Sequence, residues 1–155
     1  MSRVDRPDLE RSEVNDIHRL QRFVDAQNEV IDEVRSELRA GRKTSHWIWF
    51  IFPQIKGLGH SPTAREFAIL SREEAAAYAA HPILGPRLRE CTRLVNSIEG
   101  RAITQILGTP DDLKFRSSMT LFAKVCPDDP IFTDAIGKYY GGELDQLTLD
   151  LLRPG

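Results

Sequence analysis

The residues that could do chemistry gather in two stretches of this chain. The first runs KTSHWIWFIFPQIKGLGHS, from Lys43 to Ser61, and holds both tryptophans and two of the four histidines. His46 is its candidate general base, because a histidine changes charge near neutral pH. The same position also suits a helix cap or a satisfied core histidine. Lys43, Gln54 and Ser61 offer polar contacts to a ligand, and Arg42 and Arg65 flank them with positive charge. Trp47 could stack on a ring; Trp47 and Trp49 face different ways, so one lines a pocket while the other fills the core, or both are core. Gly57 and Gly59 would let backbone N–H groups approach an anion, or would simply permit a turn with positive φ.

The second stretch is Lys114, Arg116, Ser117, Ser118 and Thr120. Hydroxyls inside an apolar helix compete with its backbone, so these groups either bond across a helix interface or line a ligand pocket. Asp111 and Asp112 read as helix-start carboxylates rather than an acid/base pair. His81, before Pro82, reads as structural. No GxSxG elbow supports a hydrolase triad. The histidines His18, His46, His60 and His81 lack HxxxH or HExxH spacing, and Cys91 and Cys126 form no CxxC, so neither a metal nor a cofactor is expected.

Helices must position these groups. Ile17, Leu20, Val24, Ile31, Val34 and Leu38 make one apolar stripe, which predicts a helix from Asn15 or Asp16 to a cap at Gly41. Gln27 interrupts that stripe and must reach solvent or bond something buried. Thr44 and Ser45 can cap a helix over Trp47–Phe52, which Pro53 would end. A strand there fits the apolar run equally well by period alone. Ser71 begins a capping-box pattern before the alanine-rich run 73–80. Leu84, Leu88, Cys91, Leu94, Val95 and Ile98 space a further helix. Thr109 as N-cap and Pro110 at the first helical position start the helix that carries Leu113 through Val125. Residues 132–140, closed by Gly141 and Gly142, and a last helix capped by Asp145 complete the chain. With no alternating strand, the expectation is an all-α, single-domain orthogonal bundle of about seven helices over residues 16–153. Residues 1–15 read as a flexible charged arm.

Composition is that of a soluble globular chain: 155 residues, 41% apolar and 28% charged. A net charge of −2 argues against a dominant nucleic-acid surface. No apolar run approaches a membrane span, and no leader opens the chain. The two cysteines fit a reducing, cytoplasmic setting.

The segments GRKTSHWIWFIFPQ and GLGHS, then EEAAAYAAHPILGPRLRECT, GTPDDLKFRSSMTLF and GGELDQLTLDLL, occur in an order that resembles the bacterial family of domain of unknown function 1810. Its members are sometimes labelled calpastatin-like, although calpastatins are disordered inhibitors and this composition is that of a compact chain. The resemblance spans roughly Leu20 to Leu152. It implies an all-α single domain and no established activity. Two functions fit these residues. One is a binding or interaction domain with a protein partner. The other is an enzyme acting on a small anionic ligand, a nucleotide or sugar phosphate, between the Lys43–Ser61 and Lys114–Thr120 segments. Convergence of these side chains in one concave pocket would favour the second.

Overall fold

Ten helices are present among residues 16–153, which a computed structural model of the chain describes. They are α1 (Gln21–Asn28), α2 (Ile31–Arg39), α3 (Ile48–Ile51), α4 (Pro62–Glu66), α5 (Arg72–Ala80), α6 (Leu84–Asn96), α7 (Ile103–Leu107), α8 (Asp111–Val125), α9 (Ile131–Tyr140) and α10 (Gln146–Leu151). The all-α class holds, and the count exceeds the seven or so expected. α3, α4 and α7 are each a single turn or little more. The expected first helix is two helices, broken at Glu29 and Val30, where Val30 has φ −130°. Val24 and Ile31 are seven residues apart, so the stripe stays in phase across the break and hides it. The charged arm expected over residues 1–15 lies outside the described residues.

Helix α8 is the hub. It packs against α3, α5, α7, α9 and α10. Phe115, Met119, Leu121 and Phe122 are fully buried along it, and Phe52 meets Phe115 edge-on at 4.8 Å. A helix enclosed this way can carry apolar groups on more than one face. Helices α2, α5 and α9 close around α6, whose Leu84, Leu88, Cys91 and Val95 point inward. Gly85 is needed there: a Cβ would stand 2.3 Å from the Ala79 carbonyl oxygen. Burial pushes the Cys91 thiol up to about 12.

Three polar devices lock the frame. Gln27 is buried and donates to the Phe50 carbonyl at 2.7 Å and the Tyr78 hydroxyl at 2.9 Å, so it belongs to the interior. Arg22 donates to the carbonyls of Glu66 and Ala68 and, at 3.0 Å, to the buried Glu74 carboxylate. Ser71 caps α5 as its pattern predicts, accepting from the Glu74 N–H, while the Glu74 side chain turns to Arg22 instead of closing the box. Asp145 caps α10.

Other local expectations shift. Ile17 is 79% exposed and Leu113 54%, so neither joins the core. Pro110 is itself the N-cap of α8, following a cis peptide bond, and Thr109 lies outside the helix. Ser45 and Thr44 do not cap α3, whose N-cap is Trp47. They bond backwards, to Glu37.

Candidate functional site

Glu37 builds the first wall of the site. It sits on α2 and accepts from the N–H groups of Thr44 and Ser45 at 2.8 and 3.1 Å, from Ser45 Oγ at 2.6 Å and from Trp47 Nε1 at 2.9 Å. Burial alone would raise its pKa, but these hydrogen bonds outweigh that and hold the carboxyl down at about 2. Gly41, with φ +76°, turns the chain into this loop, and the Lys43 N–H donates to the Ile106 carbonyl at 2.7 Å. The loop bearing Lys43 and His46 is therefore fixed to both α2 and α7. Glu37 carried no signal of its own in the sequence, being one carboxylate among several on an amphipathic helix.

The two tryptophans divide the work. Trp47 is wholly buried, against Phe52 at 6.2 Å, so it packs the core and lines no cavity. That corrects its expected role as a ligand contact, and the cause is the Glu37 anchor, which draws its indole inward. Trp49 is half-buried and is the residue shared by the linings of two cavities, the first and second lobes.

The first lobe is a cavity of about 350 Å³. Its apolar surface comes from Trp49, Ile55, Ala64, Phe67, Ala68 and Leu70, and its polar surface from Gln54, Lys56, His60 and Arg65 with Gly57 and Gly59. The floor is a short parallel bridge between Ile55 and Ile69, with the Ile69 and Lys56 N–H groups donating at 2.8 Å. The far wall is Phe67, which packs on Phe23 and Phe50, and Arg22 holds the carbonyls on either side of it. Gly57 has φ +108°, and a Cβ on Gly59 would meet Ala64 Cβ at 2.7 Å, so both glycines are required by the loop's path. No carboxylate lines this lobe, and Lys56, His60 and Arg65 have no acidic partner among the described residues. Volume does not single the lobe out, since a cleft beside Gly41 and Arg101 holds about 390 Å³. Its lining does.

The second lobe, about 380 Å³, is lined by Lys43, Thr44, Ser45, His46, Trp49, Thr109, Asp111 and Lys114, with Leu107 and Pro110. Lys43 Nζ pairs with Asp111 Oδ2 at 2.6 Å, and Lys114 reaches Asp111 Oδ1 at 3.5 Å. His46 is exposed at its rim.

The fold places Lys43, His46 and Lys114 in the second lobe and Gln54 in the first, and leaves Ser61, Arg116, Ser117 and Ser118 off both linings. Ser61 caps α4 through the Ala64 N–H at 3.1 Å. Arg116 donates to the carbonyls of Glu143 and Leu144. Ser117 Oγ lies 2.9 Å from Asp145 Oδ2, and Thr120 Oγ1 accepts from the Asp145 N–H at 2.9 Å. These groups bond across a helix interface, which docks the C-terminal segment onto α8. Ser118 is wholly buried and its hydroxyl has no partner among the described residues. His81 caps the start of α6, its Nδ1 accepting from the N–H groups of Ile83 and Leu84. Phe67 in the first lobe and Asp111 in the second complete the linings without having been singled out as ligand contacts.

Among the described residues, no helix is long and apolar enough to cross a membrane. Comparison with curated proteins finds no match. The chain is similar to the conserved hypothetical protein Rv1873 from Mycobacterium tuberculosis, known from its crystal structure. The two are 54% identical, the match covers 88% of this chain and 97% of that one, and the TM-score is 0.86. A family model described as protein of unknown function (DUF1810) matches residues 17–152. The chain belongs to the DUF1810 family.

Proposed function

We propose that this protein binds a small, ring-bearing organic anion in the first lobe beside Trp49. The observation that carries the reading is the lobe's lining, an aromatic and aliphatic floor under a rim of Lys56, His60 and Arg65 with no carboxylate. A flat ring is held by apolar and aromatic walls, and the rim cations meet its charge. A recess of about 350 Å³ suits a small molecule, whereas protein partners require broad surfaces. Nucleoside monophosphates and aromatic carboxylic acids are the ligand classes of that size and charge. A protein-docking role draws instead on exposed Leu70 and Leu151, which meet at a neighbouring cleft.

A thermal-shift screen with these two classes tests the proposal. A ligand at 100 times its Kd stabilises the native state by about 2.7 kcal/mol. The expected result is a shift with at least one compound that is lost in the Lys56→Ala/Arg65→Ala double variant. No shift with any compound, for a folded protein, would contradict it.

A further inference from the structure

The ligand reading uses one side of Trp49. On the other side the charges do not cancel. Lys43 is committed: it pairs with Asp111 at 2.6 Å, donates to the Ser45 carbonyl at 2.5 Å, and its side chain is 6% exposed. That pair is neutral. Lys114 stands 3.5 Å from the same carboxylate, is 25% exposed, and rests over the Trp49 ring at 5.1 Å from its centroid. Among the residues lining the second lobe, Lys114 is therefore the excess cation, and the Glu37 carboxylate behind Thr44 and Ser45 is taken up by its four hydrogen bonds. The exposed residues Thr44 and Thr109 line the same lobe, one on the loop fixed by Glu37 and one on the turn before α8.

We infer that the second lobe is a subsite for a tetrahedral oxyanion, a phosphate- or sulfate-like group, held by Lys114 with the hydroxyls of Thr44 and Thr109. A carboxylate presents two oxygens in one plane. Donors arriving from a loop, a turn and a helix suit a group whose oxygens point in three directions. Lys114 gives up little on turning to the anion, because Lys43 already neutralises Asp111. The inference rests on the ligand reading and extends it: the ring and the charge met by the Lys56 and Arg65 rim lie in the first lobe, and the oxyanion is a further anionic group of the same ligand, held in the second. The ligand class narrows to ring compounds bearing a phosphate or sulfate group.

The test uses the full-length protein and inorganic phosphate, followed by ¹⁵N–¹H spectra, with sulfate run alongside and chloride at matched ionic strength. The expected result is saturable shifts at the amides of Thr44, His46, Asp111 and Lys114 with phosphate or sulfate and not with chloride. The tighter of the two names the oxyanion. Lys114→Gln should weaken the binding these shifts report at least tenfold, and Lys124→Gln, at an exposed position outside both lobes, should leave it unchanged. Absence of saturable shifts at those amides, or equal affinity in a folded Lys114→Gln protein, would overturn the subsite. Phosphate binding at Lys114 without any response of the first lobe to ring-bearing anions would keep the subsite and sink the ligand reading. The converse would sink the subsite alone.

Discussion

Helix α8 carries polar groups on two faces that fare differently. At its start, Asp111 is already paired with Lys43, and Lys114 is left facing the recess beside Trp49. One turn later, Arg116, Ser117 and Thr120 face the C-terminal segment, and each is taken up by it. In sequence the two sets look alike, charged and hydroxyl residues inside an apolar helix. The difference is whether another part of the same chain satisfies them. Polar groups that the chain consumes hold it together; polar groups it leaves facing a recess are available to a ligand. The same division separates Arg22, with its carbonyl and carboxylate partners, from Lys56 and Arg65 on the cleft rim.

Substitutions can break or sharpen that division. Consumed groups should cost stability, and cleft groups should cost binding alone. The largest effect is expected for Arg22→Ala, which leaves the Glu74 carboxylate, at 1% exposure, with His18 Nδ1 at 4.0 Å in place of its closer partner. Removing one member of a buried ion pair costs about 3–5 kcal/mol, read as a lower urea midpoint. It should also loosen Phe67 and so weaken the first lobe. Next is Gln27→Leu, which leaves the Phe50 carbonyl and Tyr78 hydroxyl short of a donor; a loss of about 2–3 kcal/mol in the same unfolding experiment is expected.

Glu37→Gln should cost about 2 kcal/mol, the range for hydrogen bonds to a charged group. Its pH dependence has a definite sign. The folded carboxyl is held down at about 2 from an ordinary 4.5, so its contribution is complete above about pH 4.5 and is lost as pH falls toward 2. Wild-type stability should decline through that window more steeply than the variant's, measured by urea unfolding at each pH. The smallest stability effect belongs to the rim. Lys56→Ala and Arg65→Ala should each change the midpoint by less than about 0.5 kcal/mol while abolishing ligand-induced stabilisation. A rim variant that unfolds as readily as Arg22→Ala would erase the distinction.

Much of the frame was legible in the residues, because caps and apolar stripes are local. Ser71, Asp145, Gly41 and Gly141 punctuate the helices where their types require. The break at Val30 was not legible, since its flanking stripes stay in phase. The site was legible by neighbourhood and not by member. Lys43, His46 and Lys114 line one lobe and Gln54 the other, whose wall Phe67 lies on a separate turn that Arg22, more than forty residues before it, fixes in place. Which tryptophan faced the recess depended on a Glu37 contact ten residues away in the chain. Contacts of that kind have no local pattern to announce them.

The two indole N–H signals offer the most direct test of the central claim, that Trp49 walls a ligand cleft while Trp47 serves the core. Each tryptophan would be assigned by single Trp→Phe substitution, and the ¹⁵N-labelled protein titrated with nucleoside monophosphates and aromatic carboxylic acids. The account predicts that a binding compound moves the Trp49 signal and leaves the Trp47 signal, tied to Glu37, in place. A compound that binds while moving Trp47 alone, or one that binds without moving either, would contradict it.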